Sequence, residues 1–163
     1  MASQFPTVRR KIVDIVTATA VDHDTAFSGR LGFRELGDGW VDEDHPLPPS
    51  RSFVLEAQGG AVQDPSSFKN KGRMRMVCSL MVFYAEDVAD AVALDEVIGS
   101  DTENLAAQLL DPTNWDRGTT GIELIGGRDG GHEALKFDII AGDGVRVLEF
   151  AFDVVYRRGV ETN

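Results

Sequence analysis

Two of the three histidines stand in acidic segments, Asp22-His23-Asp24 and Asp42-Glu43-Asp44-His45. Histidine and carboxylate side chains are common ligands of zinc and manganese, and a histidine–carboxylate pair also serves in general acid–base catalysis. Neighbouring residues on a loop usually point in different directions, however, and neither segment has the HxH, HxxE or HExxH spacing that puts ligands on one face of a helix or strand. A solvated acidic loop is therefore the simpler interpretation, and a small metal-dependent α+β enzyme remains an alternative.

The other residues that could carry chemistry lack the neighbours that such chemistry needs. The single cysteine, Cys78, lies in an apolar run, and no serine stands in a GxSxG motif, so no nucleophile with an adjacent base is indicated. The glycine-rich residues 126–131 lack the lysine and the following helix of a phosphate loop, and their composition predicts a hairpin turn with His132 at the surface. The sequence thus predicts no catalytic residue, no cofactor and no metal ligand.

The charge of the chain argues against two classes of partner. Sixteen Lys and Arg residues against 27 Asp and Glu residues give the 163-residue chain a formal net charge of -11. A surface of this sign repels the phosphate backbone of nucleic acids and anionic membranes. The length predicts one domain, residues 1–163, and the first residues lack the basic start and apolar run of a targeting peptide.

Two stretches have the three- and four-residue spacing of amphipathic helices. In residues 5–20 this spacing joins Phe5, Val8, Ile12, Ile15, Val16 and Thr19. In residues 88–110 apolar side chains occupy one side of the helix, and the acidic residues, Asp101 among them, are assigned mostly to the opposite side. Gly99 and the capping-box spacing of Ser100 and Glu103 favour a local restart, and Pro112 marks the end.

The remaining periodic segments alternate with period two and predict strands at residues 51–58, 73–84, 122–125, 133–141 and 145–157. Gly59 and Gly60 are expected to stop the first strand, and glycines predict hairpins at residues 126–131 and 142–144. Residues 21–49 indicate mostly loop, with a short extended piece near residues 31–36. The alternation gives the last three long strands apolar faces: Met74, Met76, Cys78, Leu80, Val82 and Tyr84; Leu135, Phe137 and Ile139; and Leu148, Phe150, Phe152, Val154 and Tyr156. Together the elements predict an α+β fold: a single antiparallel sheet of about five strands with two main helices packed on one face.

Two surface features indicate contact with other proteins. The outward positions of the last strand are half apolar, which predicts a subunit interface unless a second layer of the same chain covers them: Val145, Val147, Glu149, Ala151, Asp153 and Val155. Basic residues on this acidic chain gather near two strand ends and are candidates for contact with an acidic partner, with ordinary solubilising charge as the alternative: Lys69, Lys71, Arg73, Arg75, Arg157 and Arg158.

In its layout the chain resembles the tail terminator, or tail-completion, proteins of long-tailed bacteriophages and phage-like particles. The resemblance covers nearly the whole chain except residues 21–40. It is carried by the opening Phe5-Pro6-Thr7-Val8-Arg9, the Leu47-Pro48-Pro49 lead into a strand, the strand at residues 73–84 after a long loop, Leu109-Leu110-Asp111-Pro112 before Trp115, and the closing strand that ends at Tyr156-Arg157-Arg158.

The resemblance implies a structural virion protein without catalytic residues. Such proteins form a homo-oligomeric ring, commonly a hexamer, that caps the tail tube, ends tube growth and meets the head connector in the neck of the particle. DNA would pass through the ring without specific binding, no membrane would be involved, and assembly would take place in the host cytoplasm. The other alternative from the residues themselves is a monomeric adaptor or ligand-binding module with a deep apolar pocket.

Overall fold

Three helices and six strands make up the part of the chain that a computed structural model describes, namely residues 5–23, 26–27, 32–37, 48–62, 73–86, 91–115, 123–125, 136–142 and 144–157. In chain order they are α1 (Phe5–Ala18), β1 (Arg34–Glu35), β2 (Ser52–Val62), β3 (Arg73–Ala85), α2 (Ala91–Leu110), α3 (Pro112–Trp115), β4 (Glu123–Ile125), β5 (Lys136–Ala141) and β6 (Val145–Arg157). The α+β class predicted from the sequence is confirmed.

The strands form one sheet in the order β1-β2-β3-β6-β4, and β5 also pairs with β6. Because β3 pairs with β6 from Val145 to Arg157, β4 and β5 must share the other edge of β6. The sheet therefore has five positions across, as expected. Two expectations were wrong: β1 runs parallel to β2, so the sheet is mixed, and β4 and β5 both run antiparallel to the same edge of β6, so they do not pair with each other as a hairpin. Residues 126–131, predicted as a hairpin turn, lie outside the described residues.

The core lies on one face of this sheet, under α1 and α2. Alternate residues of β3 and β6 meet in register there, with Cys78 opposite Phe152 and Leu80 opposite Phe150. The apolar faces predicted for these two strands are confirmed, with Met74 only half-buried. The helices contribute their own apolar sides to the same cluster, and Thr19 is buried just beyond α1: Val8, Ile12, Val13, Ile15 and Val16 from α1, and Leu94, Val97, Ile98, Leu105 and Leu109 from α2.

Glycine interrupts neither β2, which Gly59 and Gly60 were expected to end, nor α2, for which the sequence left open one long helix or two helices that meet at Gly99. The strand β2 continues through Gly59 and Gly60 to Val62, with a shift of register between Gly59 and Ala61, because pairing with β3 outweighs the weak local preference of glycine. The helix α2 runs unbroken through Gly99 to Leu110. The hydroxyl of Ser100 donates to Asp22 (2.6 Å) instead of capping a new helix.

The helix α2 ends at Leu110, where the sequence predicted its end. Asp111 lies before α3, and its carboxylate accepts hydrogen bonds from the backbone N–H (2.9 Å) and the hydroxyl (2.7 Å) of Thr113. This is the N-cap arrangement, with Pro112 at the first helical position. The indole of Trp115 then donates to the carbonyl of Leu109 (2.7 Å), which ties α3 back onto α2.

Candidate functional site

The face of the sheet opposite the core, the outer face, is divided into an apolar half and a polar half. The apolar half is built on a row across three strands in which Phe83 of β3 lies opposite Val147 of β6, and Val147 lies opposite Ile140 of β5. The neighbouring apolar residues of this half are Val54, Met81 and Val145. Because the buried side chains of α1 and α2 belong to the core, no described helix covers this half.

The polar half of the outer face is held by contacts within the chain. Arg75 of β3 forms an ion pair with Asp153 of β6, and the hydroxyl of Ser79 donates to the carboxylate of Glu149 (3.1 Å). Both contacts join β3 to β6, and the side chains that make them are partly buried. The charge of Arg75 is therefore balanced inside one chain.

The outward residues of β6 that were predicted as a subunit interface differ in exposure. Val145, Val147, Glu149 and Asp153 are half-buried and Ala151 is exposed, whereas only 1 % of Val155 is accessible. The apolar end of this set, near the hairpin, thus remains at the surface of a single chain. The far end at Val155 is already buried within it.

The structure brings together only part of the predicted basic set. Arg73 and Arg157 lie opposite each other in the register of β3 and β6, at the same end of the sheet as Arg75. Lys69, Lys71 and Arg158 lie outside the described residues. A basic docking site therefore stays a prediction from the sequence.

The edge strand β5 carries the largest concentration of exposed apolar side chains in the described part of the chain. Phe137 is 58 % exposed, Ile139 46 % and Ile140 47 %. Phe137 and Ile139 were predicted to share one face of this strand, and they do: both lie on the core side of the sheet, where the ring of Phe137 lies 6.2 Å from that of Phe150. Both side chains nevertheless remain open to solvent at the margin of the sheet. Ile140 points to the outer face, so β5 is apolar on both sides.

The backbone of β5 also presents hydrogen-bonding groups on the side away from β6. In the hairpin the amide of Gly142 donates to the carbonyl of Val145 (2.8 Å), and Gly144 has a φ of 74°, as a tight turn requires. Bonded and non-bonded pairs alternate along antiparallel strands, so the backbone groups of Phe137, Ile139 and Ala141 point away from β6. The amide of Ile139 donates to the carboxylate of Asp138 (2.8 Å) on that side, and no described strand lies there.

The opposite edge of the sheet is closed along the first residues of β2, from Ser52 to Leu55. The amide of Leu36, just after β1, donates to the carbonyl of Phe53 (2.7 Å). The next carbonyl on that side, that of Leu55, accepts from the Arg9 guanidinium of α1 (3.4 Å), which also pairs with Glu35 (3.0 Å). A short strand and a charged side chain together cover this edge, which is a common protection against strand addition.

A buried ionic cluster that sequence reasoning missed anchors the closed edge to the helices. Arg51, fully buried before β2, donates from Nε (2.8 Å) and Nη2 (3.1 Å) to the carboxylate of Asp101 on α2, and from Nη1 to the carbonyl of His23 (2.8 Å). The Tyr84 hydroxyl donates to the same carboxylate (2.9 Å), and the guanidinium carbon lies 5.1 Å from the ring centre of Phe27. The backbone of Arg51 has a φ of 62°, which side chains other than glycine adopt at a cost.

Burial dominates the electrostatics of this cluster. Desolvation raises the pKa of Tyr84 well above its ordinary value, and the Asp101 charge and its hydrogen bond act in the same direction. The expected position of Asp101 on the solvent side of α2 was wrong. It stands three residues after Ile98 and four before Leu105, both buried, so its spacing was the signal that it faces the core.

The residues considered for catalysis or metal binding have other roles where the structure describes them. The carboxylate of Asp22 accepts from Ser100 and from Asn104 (3.0 Å), which lowers its pKa. Burial raises the pKa of the Cys78 thiol to about 12, so it is not a nucleophile near neutral pH. Asp24, residues 42–45 and His132 lie outside the described residues, and among those described no three side chains are grouped as metal ligands.

None of the helices in the described ranges combines the length and apolarity that crossing a bilayer requires. No model of a known protein family matches the chain, and no curated protein matches it significantly.

Proposed function

We propose that this chain is a structural virion protein of the tail-terminator kind. Copies of it form a ring, hexameric by analogy with the proteins it resembles, that caps the tail tube and joins it to the head connector. The single observation that supports this role best is the apolar half of the outer face, where Phe83 and Val147, both half-buried, form one row with the exposed Ile140 and no described helix covers them.

A ring needs a head-to-tail contact, in which one patch of each copy meets a different patch of the next. The apolar half of the outer face can serve as one of these patches. It lies on long strands that are held by the core beneath them, and its polar neighbours, Ser79 and Glu149, are hydrogen-bonded to each other within the chain. A partner can therefore cover the apolar row while this hydrogen bond stays in place, provided that the Glu149 carboxylate remains at the solvated rim of the contact.

The charge of the chain supports passage of DNA rather than its capture. Six copies would carry a formal charge of -66, six times -11. Acidic residues around a channel repel the phosphate backbone, so DNA would cross the ring without adhering to it. A structure of the ring with a basic channel would contradict this part of the proposal.

The proposal is tested by sedimentation velocity and negative-stain microscopy of the purified protein, alone and with assembled tail tubes. The expected result is a ring, free in solution or seated on tube ends. Val147→Glu puts a charge into the middle of the apolar row and should abolish the ring, while Ala107→Glu, on the exposed side of α2, adds the same charge at a distance and should not. A wild-type chain that stays monomeric in both conditions would contradict the proposal.

A further inference from the structure

We infer that, in the free protein, β5 of one copy pairs with β5 of a second copy as antiparallel strands across a two-fold axis at Ile139. The inference goes beyond the proposed ring and does not rest on it. The ring contact uses the apolar half of the outer face, whereas this pairing joins the backbone of β5 along the sheet edge away from β6, and Ile140 is the one residue that lies in both.

The backbone of β5 defines what kind of partner fits. Phe137, Ile139 and Ala141 direct their N–H and C=O groups away from β6, at the spacing that an added strand pairs with. The side chains on the two faces of β5, Phe137 and Ile139 on one and Ile140 on the other, are exposed and apolar. A partner in extended conformation would satisfy the backbone and cover both faces at once.

The sequence of β5 is complementary to itself in one register. With Ile139 opposite Ile139 of the second copy, Phe137 lies opposite Ala141 and Asp138 opposite Ile140. All six backbone groups that point away from β6 are then paired, and no two charges of like sign face each other. If Asp138 lay opposite Asp138 of the second copy, two like charges would face each other. If Ile140 lay opposite Ile140, fewer backbone groups would be paired. Both of these registers are therefore disfavoured.

The other edge of the sheet is a poor partner for β5. There the short β1 pairs with the first residues of β2, and Arg9 occupies the carbonyl of Leu55. A neighbour that approached the first residues of β2 would have to displace both. Among the described residues no strand covers the identical edge of a second copy, which favours the two-fold arrangement.

Asp138 controls access to this edge. Its carboxylate accepts the amide of Ile139, the residue on the proposed two-fold axis, and must release it before the strands can pair. The two copies also carry -11 each, so their mutual repulsion weakens the dimer at low ionic strength. We therefore expect a dimer with a dissociation constant of about micromolar or weaker, as is usual for small interfaces, that tightens as salt is added.

Cysteine cross-linking tests both the pairing and its register. Paired Ile139 residues have Cα atoms about 5.5 Å apart, within disulfide range, whereas the two Phe137 residues are separated by four residues along the strands, about 14 Å. Mild oxidation should convert Ile139→Cys into a covalent dimer of 35.4 kDa, twice 17.7 kDa, and leave the matched Phe137→Cys variant largely monomeric. The buried Cys78 does not compete.

Sedimentation velocity across a concentration series gives a second measurement. Ile139→Pro removes an amide that does not bond to β6, so the fold should persist, while the dimer dissociation constant should rise about tenfold or more. Ile139→Val keeps the amide and the apolar side chain and is the control. Dimers of wild type and Ile139→Val, with Ile139→Cys cross-linking faster than Phe137→Cys, support the proposal; a wild type that is monomeric at all concentrations, or equal cross-linking of both cysteine variants, would overturn it.

Discussion

The two edges of the sheet are built in opposite ways. On the β2 side a two-residue strand, the Arg9 guanidinium and the buried pair of Arg51 with Asp101 close the edge and fasten it to the helices. On the β5 side the strand is apolar on both faces, and Asp138 alone is seen to occupy a backbone group of the edge in the described residues.

The contrast shows where the chain resists strand addition and where it permits it. A sheet protein that had to remain monomeric would protect both edges, since each is a template for another strand. In the described residues, protection against strand addition is concentrated on the β2 side, where it also involves the buried ion pair of Arg51 with Asp101. We interpret the closed edge as the support of the fold and the open edge as a surface for assembly.

Removing the carboxylate charge of Asp101 should have the largest effect. Asp101→Asn leaves the Arg51 guanidinium fully buried without a counter-charge, and loss of one partner of a buried ion pair typically costs about 3–5 kcal/mol of the free energy of unfolding. Urea denaturation monitored by circular dichroism measures this change in the free energy of unfolding. Glu103→Gln, on the exposed side of the same helix, should change stability by no more than about 0.5 kcal/mol.

A loss below about 1 kcal/mol for Asp101→Asn would show that the closed edge does not depend on this ion pair. It would also remove the physical contrast between the two edges, because the remaining protection on the β2 side would be only β1 and the partly exposed Arg9. The open edge should be unaffected in either case, so the self-association of any folded Asp101→Asn protein should match that of wild type.

Tyr84→Phe should have the next largest effect. The variant loses the hydroxyl that donates to the buried Asp101 carboxylate, and a hydrogen bond to a charged group contributes about 1.5–3 kcal/mol. Stability should also respond to alkaline pH. Because the folded-state pKa of Tyr84 is raised, the unfolded chain releases its proton first, so stability contributed by this group is present below pH about 10 and is lost as pH rises beyond that.

The difference in free energy of unfolding between wild type and Tyr84→Phe isolates the titration of Tyr84. Cys78, whose pKa is raised to about 12, contributes the same pH dependence to both proteins. Urea denaturation at a series of pH values from neutral to alkaline is the measurement. If the two proteins lose stability in parallel above pH about 10, the Tyr84 hydroxyl does not titrate as its burial requires.

Alternation in the sequence predicted the faces of β3 and β6 because each long strand has one side against the core. From Met76 to Tyr84 and from Leu148 to Tyr156 every second side chain is buried. Alternation also placed Phe137 and Ile139 on one face of β5, and both lie on the core side, but alternation cannot show whether the layer above reaches the sheet margin. The exposure of this edge was therefore not predictable from the local pattern.

Long-range pairing also limited the prediction. Arg51 and Asp101 are 50 residues apart, and no local pattern joins them, although the spacing of Asp101 between Ile98 and Leu105 placed it on the buried side of α2. The parallel pairing of β1 and the passage of β2 through Gly59 likewise depend on neighbours that are distant in the chain. The outward row at Val145 and Val147 could be predicted because it lies within one strand.

Arg9→Ala should weaken the closed edge only modestly. The Arg9 guanidinium is partly exposed, so the loss of its contacts with Glu35 and Leu55 should cost about 0.5–1 kcal/mol by urea denaturation. Arg9→Lys is a useful comparison, because a single ammonium cannot reproduce the two-sided contact of the guanidinium. If Arg9→Ala raised self-association as much as changes at β5 alter it, the β2 edge would be as available for strand addition as the β5 edge, and the two edges would not differ.

Asp138→Ala should have the smallest effect on stability and an opposite effect on association. The side chain is exposed, so the free energy of unfolding should change by less than about 0.5 kcal/mol. The amide of Ile139 would lose its carboxylate acceptor, and pairing with a second strand would no longer have to displace it. Sedimentation velocity should therefore show a dimer several-fold tighter than that of wild type. Asp138→Asn keeps a side-chain acceptor for the amide, so its dimer dissociation constant should lie between those of wild type and Asp138→Ala. If both substitutions weakened the dimer, Asp138 would stabilise the contact instead of competing with it.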